Sequence, residues 1–154
     1  MNGKLSWPIF WALVAVFIFI VGLLFIPPFI PAFRGSIFLW FLIISGSIFL
    51  LLGVALIVLT VREKVGGTLK KFFLLTGASS AGFFVSFLLH NAVYALFIYF
   101  FGEGFWDRIG GDEPVFFIMA IIVCPLGFLV GAIGSIVLGI KKCRTEKKLA
   151  SSPQ

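Results

Sequence analysis

The only histidine of the chain, His90, stands in the stretch FLLHNAVY (residues 87–94), with Asn91 beside it and Tyr94 one turn on. An imidazole can carry a proton near neutral pH or hydrogen-bond a carbonyl, and an amide can orient either partner. His90 and Tyr94 are four residues apart and Asn91 and Tyr94 are three apart, spacings that meet on one helix flank. Behind them Ala78, Gly82 and Ser86 keep the four-residue step, and small residues so spaced let a neighbouring helix come close. Ser86, His90, Asn91 and Tyr94 are therefore a candidate ligand site or interhelical polar site. Polar side chains bonding between helices are the simpler reading. A quinone carbonyl or lipid headgroup bonded by His90 is the alternative.

A second group lies in GEGFWDRIGGDEP (residues 102–114). Glu103, Asp107, Asp112 and Glu113 face a single Arg108. An Asp107–Arg108 pair behind Trp106, followed by Gly110 and Gly111, reads as a structured turn. Asp107, Arg108, Asp112 and Glu113 make a candidate external-loop site. A divalent cation wants several oxygens in a defined loop, and this spacing matches no known one. The plainer expectation is that Asp112 or Glu113 caps a helix beginning at Pro114.

A third pattern concerns packing. GFLVGAIGSIVLG places Gly127, Gly131, Ser135 and Gly139 at four-residue steps, a ridge for close helix contact with another span or another copy. Pro125 lacks an N–H for the carbonyl of Ile121, so a kink is expected. Cys124 reads as a buried gap-filler, and Cys143 stands in a basic tail, so the two are not expected to pair. HExxH, GxGxxG, CxxC and P-loop patterns are absent, as are the two histidines of a bis-histidine haem. No catalytic residue, cofactor or metal site is expected.

The elements that must position these residues follow from composition. Of 154 residues, 61% are hydrophobic and only 12% charged, with a mean hydropathy of +1.19. Soluble domains are about 25% charged. Apolar runs at residues 7–26, 38–61, 71–99 and 115–140 each suffice to cross about 30 Å of hydrocarbon. They lack the alternation of barrel strands, so they predict four helices, an all-α transmembrane bundle forming a single domain over 1–154. The first run is too long for a signal peptide and no small-residue cleavage site follows, so it is read as a retained span. The prolines of PPFIPAFR should stiffen the first connection, and the polar end from Thr145 is expected to be disordered.

Charge supplies the orientation. Lys4, Arg62, Lys64, Lys70, Lys71, Lys141, Lys142, Arg144, Lys147 and Lys148 fall on one side of the spans, and only Arg34 and Arg108 on the other. The positive-inside rule puts both termini, the 62–70 connection and the 141–154 tail in the cytoplasm, with 27–37 and 100–114 outside. The formal charge of +6 is then explained by topology and by anionic lipid headgroups rather than by nucleic acid. Counting about eighteen residues from Phe72 sets His90 roughly 27 Å across the membrane, near the far interface.

The stretch from LTGASSAGF through LLHNAVYALFIYFFGEGFWDRIGGDEP to FFIMAIIVCPLGFLVGAIGSIVL resembles a group of small, uncharacterised prokaryotic multi-pass membrane proteins over roughly residues 69–138. That resemblance implies a prokaryotic membrane protein and no particular activity. No Asp, Glu, Lys or Arg lies inside a span away from its ends, which disfavours ion-coupled export through a membrane-embedded carboxylate. The sequence points to a non-enzymatic structural or accessory subunit of the cell membrane, acting through helix packing with a second copy or another membrane protein. The alternatives are a small transporter or channel subunit with a path along Ser79, Ser80, Ser86, His90 and Asn91, or a lipid- or quinone-binding protein.

Overall fold

The computed structural model describes residues 4–25, 36–111 and 113–150. Its helices are α1 (Ser6–Phe25), α2 (Ser36–Arg62), α3 (Gly67–Phe101), the short α4 (Phe105–Ile109) and α5 (Pro114–Ile118), and α6 (Cys124–Ala150). A π-helical turn, Met119–Val123, joins α5 to α6. Among the described residues, four stretches are long and apolar enough to cross a membrane: Ser6–Leu24, Ile37–Arg62, Gly67–Phe101 and Pro114–Thr145. A helix closes its backbone hydrogen bonds within the segment, which is what lipid demands of such runs. The first connection, with its three prolines, falls outside the described residues.

The third and fourth of these spanning helices run beyond their apolar runs. The third begins at Gly67 and ends at Phe101, where the chain turns at Gly102 with φ 88°. The last continues through Thr145 to Ala150 as helix. That end had been expected to be disordered. Glu, Lys, Leu and Ala are good helix formers, and a helix already nucleated inside the membrane extends into them at little cost.

The long α3 is the spine. It packs along α2 on one side and α6 on the other, while α1 lies along α2. Small residues set both contacts. A β-carbon on Gly53 would lie 2.8 Å from the carbonyl oxygen of Gly77, and one on Gly77 equally close to that of Gly53. On the other side a β-carbon on Gly131 would lie 2.5 Å from Thr76 Oγ1 and 2.8 Å from the Thr76 nitrogen. Gly127 abuts Ser79, Gly134 abuts the Phe72 ring and Gly139 abuts Trp7 of α1. The α6 ridge thus meets α3 and α1 of its own chain.

Between α1 and the rest the filling is aromatic. Phe10, Phe73 and Phe128 are fully or almost fully buried. Phe17 stacks on Phe128 with ring centres 4.4 Å apart, and Trp7 meets Phe73 edge-on at 5.2 Å. Buried hydroxyls turn back on helix carbonyls: Thr76 to Phe72, Ser135 to Gly131, and Ser80 across to Phe49 at 2.5 Å. The expected kink at Pro125 takes the form of the π turn just before it, where the Cys124 N–H reaches the carbonyl of Met119 five residues back. A wide turn of this sort absorbs a ring that cannot donate and would crowd the preceding turn.

Candidate functional site

The two polar groups read separately from the sequence each supply one partner to a single contact. Glu113 is the N-cap of α5, with its carboxylate accepting from the N–H of Val115 at 2.8 Å and of Phe116 at 3.1 Å and 3.2 Å. Pro114 at the first helical position loses no hydrogen bond there. Its cap position sets Glu113 beside α3, and His90 Nδ1 lies 3.2 Å from the Glu113 carbonyl oxygen and 3.3 Å from Oε2. Both neighbours are acceptors, which assigns the proton to Nδ1. The side chains are 16% and 9% exposed respectively. The Phe117 ring stands 5.5 Å from the imidazole.

The electrostatics follow from these contacts. Cover by protein pushes the Glu113 carboxyl up, but the Phe116 N–H, the His90 ring and the Val115 N–H outweigh it. The carboxyl is held below its ordinary range. The arrangement can hold a charge-assisted hydrogen bond between α3 and α5 and present a polar, proton-bearing edge at this end of the bundle.

The remaining candidates separate. Asn91 is exposed and donates to the carbonyl of Phe87 on its own helix at 2.8 Å. Tyr94 stacks on Trp106 of α4, ring centres 5.5 Å apart and planes 5° apart, and Trp106 Nε1 donates to the Tyr94 carbonyl. Ser86 is buried, whereas Ala78, expected on the same ridge, is exposed. Arg108 does not pair with Asp107. It donates to the carbonyl of Phe101, the last residue of α3, where backbone acceptors lack helical partners, and to that of Gly104, which also accepts the Arg108 N–H. Asp107 instead borders a shallow cleft of about 360 Å³ with Tyr94, Trp106, Gly110 and Gly111. Asp112 lies outside the described residues. Among those described, no three His, Cys, Asp or Glu side chains converge as metal ligands would. Cys124 and Cys143 are both free thiols, the first buried and the second exposed.

The opposite end carries a polar contact that sequence reasoning missed. Glu63 accepts from the N–H of Leu5 at 2.8 Å, the N–H of Ser6 at 3.0 Å and the Ser6 hydroxyl at 2.5 Å. It therefore caps α1 from the connection after α2. The Ser6 hydroxyl and then the Leu5 N–H hold the Glu63 carboxyl below its ordinary range, against a smaller effect of burial. The turn that aims it is a Schellman closure. Val65 N–H bonds the Thr60 carbonyl, Lys64 N–H bonds that of Val61, and Lys64 takes a left-handed φ of 50°. The available signal was an acid inside the otherwise basic REK.

Compared with known protein families, with curated proteins and with solved structures, the chain matches none.

Proposed function

We propose that this multi-pass membrane protein is a non-enzymatic structural or accessory subunit of the cell membrane, with both termini cytoplasmic. The observation that carries the reading is how the polar groups of the spans are used. Thr76, Ser80 and Ser135 bond helix carbonyls within the bundle, and His90 joins α3 to Glu113. Ser80 and His90 reach across to another element, while Thr76 and Ser135 close their hydroxyls on their own helices, so these groups are used in holding and sealing the bundle. Glycine contacts on both flanks of α3 make the same point in packing terms. Lys4, Arg62, Lys64, Lys70, Lys71 and Lys141 gather toward the end where Glu63 meets Ser6, which supports the cytoplasmic assignment of that end and attraction to anionic headgroups. Because Gly127, Gly131 and Gly139 meet the chain's own helices, a second copy or another membrane protein would dock on the outward faces of α1, α2 or α6.

Reconstitution tests it. Purified protein in sealed vesicles is expected to give no proton or ion flux above protein-free vesicles. Cys143 should react with an impermeant maleimide only from the cytoplasmic side in oriented cell membranes. Flux abolished by Ser80→Ala or His90→Ala would replace this reading with the transporter one.

A further inference from the structure

α1 and α6 approach through large side chains, and beside the Phe17–Phe128 stack they leave a cavity of about 190 Å³. Its walls come from all four spans: Phe17 and Val21 of α1, Phe49 of α2, Ser79 and Phe83 of α3, and Cys124 with Pro125 of α6. Apolar cavities of about 150 Å³ stay dry and take up apolar guests. Leu24 and Ile121 also border this one, and both are more than half exposed within their spans. The opening thus faces the hydrocarbon between α1 and the π turn.

We propose that this cavity is a binding site for one hydrocarbon tail of a bilayer lipid, inserted laterally between α1 and α6. Three observations converge on that occupant. The lining is apolar apart from the Ser79 hydroxyl and the Cys124 thiol, so it gives a charged headgroup or an ion little to bind. The mouth opens where lipid tails are the surrounding medium, so the guest need not cross water. Along α3 the residues Ser79, Phe83 and His90 recur at steps of four and seven, one face of a helix. His90 with Glu113 therefore stands over the cavity, about 10 Å beyond Phe83 at about 1.5 Å per residue. A tail in the cavity leaves its headgroup at the level of the one polar pair on that face. The π turn contributes by displacing the backbone of α6 beside Cys124, as π turns do at binding sites in other helices. The site is independent of whether the protein serves as an accessory subunit.

The test is photolabelling of the full-length protein in vesicles of phosphatidylglycerol bearing a diazirine midway along one acyl chain, with adducts mapped by mass spectrometry. Adducts are expected to concentrate at Val21, Phe83 and Cys124, several-fold above the freely lipid-facing Leu51 and Val130. Val21→Phe, which fills the cavity, should abolish those adducts and leave Leu51 and Val130 labelled. Leu24→Phe at the exposed rim should give the same selective loss without altering buried packing. Adducts at the cavity no more frequent than at Leu51 and Val130, or unchanged in the rim variant, overturn the proposal.

Discussion

Gly53 and Gly77 face each other where α2 crosses α3, each so near that a β-carbon on one would stand 2.8 Å from the other's carbonyl oxygen. Backbone cannot yield as a flexible side chain does, so even one methyl must push the helices apart. Gly53→Ala and Gly77→Ala should each destabilise the protein by about 1–3 kcal/mol, the usual cost of overpacking. Thermal melts in detergent check this. Gly22→Ala is the control: nothing lies within 4 Å of its β-position, and its melting temperature should hold or rise.

Glu63 makes the protein acid-sensitive at one end. Its carboxyl is held below the ordinary value of 4.5 by the Ser6 hydroxyl and the Leu5 N–H. A depressed pKa means that the contribution to stability is fully present above that ordinary value and is lost as pH falls through the lower folded one. Melting temperature measured from pH 7 downward should therefore drop more steeply below 4.5 in the wild type than in Glu63→Gln. Equal slopes would show that the carboxylate contributes nothing.

Lys64 offers a stabilising change. Its φ of 50° is in the left-handed region, which costs a side-chain-bearing residue roughly 1–2 kcal/mol. Lys64→Gly should keep the Val65–Thr60 hydrogen bond and raise the melting temperature, by about 1 kcal/mol of stability.

At the other end, Glu113→Ala should be worse than His90→Ala. The glutamate serves two helices, capping Val115 and Phe116 as well as bonding the imidazole, whereas His90→Ala leaves the cap in place. A double-mutant cycle on thermal stability should show coupling between the two positions. Additive effects would mean that the α3–α5 bond carries no free energy.

The stacking of Trp106 on Tyr94 helps tie α4 back onto α3, beside the hydrogen bonds from Trp106 to the Tyr94 carbonyl and from Arg108 to that of Phe101. Aromatic pairs of this kind contribute about 0.5–1.5 kcal/mol. Trp106→Ala should leave the spans melting as before but speed proteolytic cleavage between Gly102 and Gly111.

Much of this was legible in the residues, and what was not has a common cause. Charge-free runs announced the four spans, because lipid penalises any other use of them. The polar character of the His90 turn was plain from its residues, and the cap at Glu113 followed from the Pro114 beside it. Their meeting did not follow, since the two residues are 23 positions apart and belong to patterns that are complete separately. The Glu63–Ser6 contact was hidden for the same reason, with 57 positions between partners and a basic neighbourhood that suggests only topology. Pro125 announced a break in the helix but not that a π turn would absorb it. Arg108 misled because an adjacent acid is the obvious partner on paper, while in space it reaches the carbonyls of Phe101 and Gly104.

The contact between Glu63 and the start of α1 also bears on how the chain is made. α1 precedes its capping partner in the chain, with the whole of α2 between them. The bond can close only if the connection after α2 comes back to the side where α1 began. A chain in which α2 failed to cross would leave Glu63 stranded across the membrane from Ser6, with the amino end of α1 uncapped. A single carboxylate thereby gives its three hydrogen bonds to molecules in which the two ends meet and withholds them from molecules in which they do not.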